Sequence, residues 1–75
     1  MKELKIKINR IEDIKCFVNI VSKYNFDIDI LSGRYLVDAK SIMGLFSIDL
    51  SNGVQMNIHS DDCETLLTEI KDFIV

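Results

Sequence analysis

The feature that most constrains the fold of this chain is a hydrophobic period that switches repeatedly between about 2 and about 3.6 residues. Near the start, Leu4, Ile6 and Ile8 alternate with polar side chains, the pattern of a strand covered on one face only. From Ile11 to Ser22 the apolar residues recur at helical spacing instead. These alternations predict a sheet with helices packed against it.

The same two patterns return along the rest of the chain. FDIDIL and RYLVDA, at 26–31 and 34–39, predict two strands of a hairpin that turns at Ser32-Gly33. VQMNIH, at 54–59, predicts a fourth strand. A last helical stripe predicts a second long helix. It consists of Cys63, Leu66, Leu67, Ile70, Phe73 and Ile74.

Polar residues mark where the helices should begin. Asn9 with Glu12, and Asp61 with Glu64, have the spacing of capping boxes. Ser41 precedes an apolar segment that a Ser-Asn-Gly turn soon closes, so this segment has room for only a turn or two of helix.

The predicted order is therefore β-α-β-β-α-β-α, an α+β open-faced sandwich. Its four-stranded antiparallel sheet carries two long helices and one short helix on one face. The chain has 75 residues, no proline and no linker-like stretch, which predicts a single domain over residues 1–75. Ferredoxin-like and ACT-type modules have nearly the same element order, so the order alone does not identify the family.

Composition excludes several classes of function. The net charge is −3 and no basic patch occurs, so direct nucleic-acid binding is not expected. No apolar run reaches the roughly 20 residues of a membrane span and no signal peptide is recognisable, so we expect a cytoplasmic protein without membrane contact. Cys16 and Cys63 are expected to be small buried hydrophobes, and neither a metal nor another cofactor is predicted.

One octet is more specific than this general patterning. Ser41 lies in KSIMGLFS, which follows GRYLVDA and precedes SNGVQMNI. Together with VSKYNFDIDI in the first half, these segments resemble HPr, the phosphocarrier family of the bacterial sugar phosphotransferase system. The resemblance covers nearly the whole chain in element order, and it implies an HPr-like fold and a protein that is not an enzyme.

The resemblance also implies a site around the octet. Ser41 matches the serine that a regulatory, ATP-dependent kinase modifies in such proteins, and Lys40, Ile42, Met43 and Phe46 match the surface to which partners bind. The implied partners are an HPr-type serine kinase and a transcriptional regulator or a phosphotransferase component. Two simpler interpretations stay open: Ser41 only caps the helix, and Met43 and Phe46 only cover the core.

The family's phosphoacceptor histidine is missing from the matching position. Phosphocarriers of this type take the phosphoryl group on a histidine at the start of the first helix, where RIED stands here. Arg10 occupies the position of the histidine, Glu12 that of an arginine and Asp13 that of a proline. An arginine stays protonated and offers no comparable nucleophile, and the two carboxylates repel phosphate. We therefore expect no ordinary phosphotransfer.

This combination is similar to the catabolite-repression HPr-like paralogues, which lack the histidine and keep the serine. It predicts a regulatory protein that acts through Ser41 and the adjacent apolar residues. One alternative is an interaction module that is never phosphorylated. Another, ranked last, is a residual phosphocarrier that uses a different acceptor, such as His59, the only histidine of the chain.

Overall fold

A computed structural model describes the whole chain, residues 1–75. Its elements, in chain order, are β1 (Lys2–Ile6), α1 (Ile11–Val21), β2 (Ile28–Ser32), β3 (Tyr35–Asp38), α2 (Ile42–Phe46), β4 (Val54–Ile58), α3 (Glu64–Glu69) and a 3-10 turn (Lys71–Phe73). The predicted β-α-β-β-α-β-α order and the α+β class are confirmed. No helix has the length and apolar character needed to cross a membrane.

The four strands form one antiparallel sheet in the order β1-β4-β2-β3. Residues paired across neighbouring strands form rows, and successive rows face opposite sides of the sheet. One row faces the helices and is apolar: Leu4, Met56, Ile30 and Val37. The neighbouring row faces away from them and is polar: Glu3, Asn57, Asp29 and Asp38. This contrast fixes the register, because a slip by one residue would expose the apolar row.

The core lies between the apolar face of the sheet and the helices. Phe17 and Val21 of α1, Leu45 of α2 and Leu66 of α3 are fully buried against it. All of the buried side chains are apolar or Cys63 and form one contiguous cluster, so burial of hydrophobic area is the main force that holds the helices on the sheet.

The hairpin turn lies one residue later than predicted. Ser32 pairs with Tyr35, so the two turn residues are Gly33 and Arg34. Gly33 has a φ of 60°, which a glycine adopts without steric cost at the first position of a type II′ turn. The error arises because the sequence identifies the glycine but not its position in the turn.

Neither predicted capping box forms. The N-cap of α1 is Arg10 rather than Asn9, and the N-cap of α3 is Cys63; neither side chain caps its helix. Asn9 therefore lies one residue too early, and Asp61 two residues too early, for a side-chain cap. Asp61 accepts a hydrogen bond from the N-terminal ammonium group of Met1 instead.

The C-terminal helix is shorter than the apolar stripe suggested. Helix α3 ends at Glu69, and the chain continues through the 3-10 turn to Ile74, which forms an antiparallel bridge with Ile6. Phe73 still packs edge-to-face against Phe17, with ring centroids 5.9 Å apart. Apolar spacing thus predicted which residues pack, but not the change from helix to extended backbone.

The two cysteines differ in environment. Cys63 is buried, as predicted, but Cys16 is exposed on α1, so the prediction for Cys16 is wrong. The face of α1 that packs on the sheet carries Phe17 and Val21, and Cys16 points away from it because neighbouring helical residues lie about 100° apart around the axis.

Candidate functional site

Ser41 is the N-cap of α2 and lies on the surface. Its backbone is extended, with φ −98° and ψ 105°, and its Oγ accepts a hydrogen bond from the backbone N–H of Gly44 at 3.2 Å. This bond satisfies one of the amides that the first turn of a helix leaves free. The hydroxyl is therefore both structural and accessible.

Helix α2 presents apolar side chains to solvent beside this serine. Met43 is 76% exposed and Phe46 is 44% exposed, whereas Leu45 is fully buried and Ile42 is half-buried. With one turn and a half of helix, only one residue reaches the core completely. The exposure of Met43 and Phe46 disagrees with the alternative in which both residues simply cover the core.

Helix α1 extends this apolar area. Ile11 is 61% exposed, and it lines a shallow groove between α1 and α2 together with Ile14, Phe46 and Ile48. We define the apolar surface of this protein as Ile11, Met43 and Phe46. Ile11 belongs to the helical stripe predicted from the sequence, but it is the first residue of α1 and lies outside the part of the stripe that packs on the core. Its terminal position in the stripe was the one indication of its exposure in the sequence.

Lys40 is engaged inside the fold. Its Nζ donates hydrogen bonds to the backbone carbonyl oxygens of Tyr24 and Phe26, at 2.7 and 2.9 Å, and its backbone N–H donates to Asp38 Oδ1. These contacts join the start of α2 to the segment between α1 and β2. The ammonium group is thus already bound by two acceptors, which sets it apart from the freely exposed residues of the apolar surface.

Arg10 stands at the N-terminus of α1 and is held by acidic neighbours. Its guanidinium donates to both carboxylate oxygens of Asp13, at 3.2 and 3.4 Å, and Glu12 lies 3.9 Å away. The hydrogen bond to Asp13, followed by the charges of Asp13 and Glu12, raises the pKa of Arg10 above its ordinary value. The group remains a cation and has no nucleophilic lone pair.

His59 is held on the open face of the sheet and not by a helix. It follows β4, and its Nε2 is 2.7 Å from Asp29 Oδ2 in the polar row on the open face of the sheet. No group of three or more histidine, cysteine or acidic side chains is arranged to hold a metal ion. Ile11, which follows Arg10 directly, lines one groove together with Phe46. His59 belongs neither to this groove nor to the charged start of α1.

The fold and site together define a small α+β domain with an open sheet face and a serine-capped helix beside an exposed apolar surface. The family described as the PTS HPr component phosphorylation site matches residues 14–75. The chain belongs to this HPr family of the phosphotransferase system, whose members are phosphocarriers rather than enzymes and act with other proteins of that system. No curated protein sequence matches the chain significantly.

Solved structures agree with this family. HPr-C-His from Thermoanaerobacter tengcongensis is 32% identical, with a TM-score of 0.80 over 96% of this chain and 89% of its own. The phosphocarrier protein HPr from Bacillus anthracis strain Ames is 23% identical, with a TM-score of 0.73 over 99% of this chain and 94% of its own. At that identity the second likeness concerns the fold alone.

Proposed function

We propose that this HPr-family protein is a cytoplasmic regulator, a single HPr-like domain over residues 1–75 that has lost histidine phosphotransfer. Phosphorylation of Ser41 by an HPr-type kinase is its switch, and Ile42, Met43 and Phe46 beside it are its docking residues. The partner is a transcriptional regulator or another component of the phosphotransferase system. The observation that carries this proposal is the exposed hydroxyl of Ser41 on the same short helix as the exposed Met43.

The charges at the two helix starts support a loss of transfer at one and modification at the other. Helix α1 begins with Arg10 bound to Asp13, and it has two acidic residues in its first turn. An incoming phosphoryl group would meet negative charge there and no imidazole. The first turn of α2 has no acidic residue, so a phosphate on Ser41 would meet free backbone amides without a carboxylate on that turn.

Phosphorylation of Ser41 would change the docking surface without unfolding the domain. It adds nearly two negative charges at the N-terminus of α2, an interaction worth roughly 0.3–2 kcal/mol in favourable geometry. Met43 and Phe46 lie on the same helix, so the electrostatic character of the surface would change while its apolar contacts remain. A partner could then distinguish the two forms by charge.

The test is the intact mass of the protein after incubation with ATP and an HPr kinase of a Gram-positive bacterium. We expect one added phosphate on the wild type and on Ser47→Ala, and none on Ser41→Ala. Ser47 is a matched control because its hydroxyl is exposed at the other end of α2. An unmodified protein, beside an ordinary HPr that is modified in the same reaction, would refute the proposal.

An interaction module without phosphorylation is the second candidate, favoured by the groove between α1 and α2. In that case partner binding depends on Ile11 and Phe46 and is the same for wild type and Ser41→Ala.

A third assay addresses His59, whose contact with Asp29 could orient the ring. With enzyme I and phosphoenolpyruvate we expect no acid-labile phosphate; an adduct that His59→Ala removes would instead establish a phosphocarrier.

A further inference from the structure

The two edges of the sheet differ in how they are covered. Beside β1, the C-terminal segment forms backbone hydrogen bonds from Lys7 N to Phe73 O and from Val75 N to Lys5 O, at 2.8 and 2.9 Å. Strand β3 pairs with β2 on one side and with nothing on the other. It has no lysine, proline or bulge, the devices that commonly protect a free edge.

The ladder determines which backbone groups of β3 are free. Ala39 N donates to Ile28 O at 2.9 Å, so Ala39 forms a hydrogen-bonded pair with β2. Such pairs recur at every second residue of an antiparallel ladder, so the N–H and C=O groups of Val37 and Tyr35 also point toward β2. The N–H and C=O of Leu36 and the N–H of Asp38 therefore project from the free edge.

The side chains along this edge form a self-complementary pattern. Tyr35 is 69% exposed and Leu36 is 63% exposed, both large for surface positions. Two charged residues flank Leu36 at two residues on either side: Arg34, in the hairpin turn, and Asp38, the last residue of β3. Neither forms an ion pair within the chain. The sequence around Leu36 thus carries opposite charges at equal distances.

We propose that β3 pairs with β3 of a second copy of this chain, antiparallel and about a two-fold axis at Leu36. The two Leu36 residues then exchange backbone hydrogen bonds and face each other. Tyr35 of each copy stands opposite Val37 of the other, and the exposed Arg34 side chain, in the turn just before β3, lies within reach of Asp38 of the other copy. Symmetric pairing makes the contact closed rather than open-ended, so it yields a dimer with a continuous sheet of eight strands.

The charge pattern selects a second copy over an unrelated strand, because each charged residue finds its complement only in this register. A shift by two residues would place Leu36 opposite a charged residue and leave the outer charges unpaired. The strand has four residues, so the interface is small and the dimer weak. We expect dimerisation to depend on concentration between about 10 µM and about 1 mM.

The inference does not depend on the proposed role of Ser41, since kinase assays and association measurements give independent results. Sedimentation equilibrium of the wild type, Arg34→Asp and Asp38→Arg tests it over that concentration range. A dimer of either variant contains two pairs of like charges that face each other across the interface. We therefore expect each substitution to raise the dissociation constant at least about tenfold. Lys7→Asp, which changes the net charge as Arg34→Asp does at an exposed site, is the control.

The decisive sample is an equimolar mixture of Arg34→Asp and Asp38→Arg. In the mixed dimer every charged residue again faces its opposite, so the dissociation constant of the mixture should lie within about threefold of the wild-type value, whereas each component alone dimerises at least about tenfold more weakly. Circular dichroism verifies that each variant is folded. A wild type that stays monomeric at the highest concentration overturns the proposal. So does a mixture that remains monomeric, or dimerisation that Met43→Lys abolishes and Arg34→Asp does not.

Discussion

Ser41 Oγ accepts the backbone N–H of Gly44 at 3.2 Å, and Gly44 in turn lies against β3. A Cβ atom at position 44 would be 3.3 Å from Val37 Cβ and 3.4 Å from Ser41 Oγ. The serine cap and the close approach to the strand therefore meet at the same residue. Together they fix the start of α2 and hence the direction in which Met43 and Phe46 point.

Replacing Ser41 with alanine should destabilise the protein by about 1 kcal/mol, because an N-cap hydrogen bond is lost. The free energy of unfolding in urea measures this directly. Ser22→Ala is the matched control: Ser22 is exposed at the end of α1 and its side chain forms no hydrogen bond, so a change below about 0.5 kcal/mol is expected. Equal values for the two variants would mean that the cap contributes nothing.

Gly44→Ala should also destabilise, despite the higher helix propensity of alanine. The gain from propensity is about 1 kcal/mol, but Val37 Cβ is fixed by the backbone and cannot rotate away, and overpacking costs about 1–3 kcal/mol. We expect a net loss of about 1 kcal/mol. Amide chemical shifts of Ser41 and Met43 should move with it.

Asn19→Ala provides the comparison for Gly44→Ala. Asn19 is exposed in α1, so this substitution raises helix propensity without adding a contact and should be neutral or stabilising. If Gly44→Ala stabilised the protein as Asn19→Ala does, the close packing of α2 on β3 would not restrict residue 44.

Most of the fold could be predicted from the sequence, because the change of hydrophobic period identifies strands and helices directly. Leu4 and Met56 face the helices as alternation requires. The N-cap Ser41 was also recognisable, since serine is one of the residues preferred immediately before the first turn of a helix. Local patterns such as these are determined by neighbours in sequence.

What the sequence did not predict depends on contacts between distant segments. Lys40 is bound by the carbonyl oxygens of Tyr24 and Phe26, more than ten residues away, and no local pattern indicates this. The stripe that ends in Ile74 leaves the helix because the chain pairs with β1 there. The exposure of Cys16 is of a different kind: its angular position on α1 was available from the sequence.

Lys40→Met should destabilise the protein by about 2 kcal/mol, because two half-buried carbonyl groups lose a charged donor while the aliphatic stem is kept. The free energy of unfolding is again the measurement. Lys7→Met removes a charge at an exposed site and should change it by less than about 0.5 kcal/mol. A comparable effect of both would assign the loss to net charge rather than to the two hydrogen bonds.

Met43→Lys should leave stability unchanged to within about 0.5 kcal/mol, since the side chain is largely exposed. Leu45→Ala, two residues later on the same helix, should cost about 2–5 kcal/mol because Leu45 is fully buried. Thermal unfolding of the two variants tests the assignment of one residue to the surface and the other to the core. A large loss for Met43→Lys would place Met43 in the core.

Glu69→Gln should lower the pKa of Tyr24 toward its ordinary value of 10.0. In the wild type the hydrogen bond to Glu69, assisted by burial and the charge of Glu69, raises that pKa to about 12. Lys23 and Tyr24 in turn hold the pKa of Glu69 below its ordinary value of 4.5. Tyrosinate absorbance during a pH titration reports Tyr24 alone in a Tyr35→Phe background, because the chain has only these two tyrosines.

The sign of the linked stability differs for the two groups. Protonated Tyr24 is favoured in the folded state, so its contribution is complete below pH 10.0 and disappears as the pH rises toward about 12. Ionised Glu69 is favoured, so its contribution is present above pH 4.5 and disappears on acidification below it. Glu69→Gln should reduce the change in the free energy of unfolding with pH in both the acid and the alkaline range. Glu64 is an exposed residue of the same helix, and Glu64→Gln should leave both changes as they are in the wild type. An unaltered Tyr24 titration in Glu69→Gln would contradict this assignment.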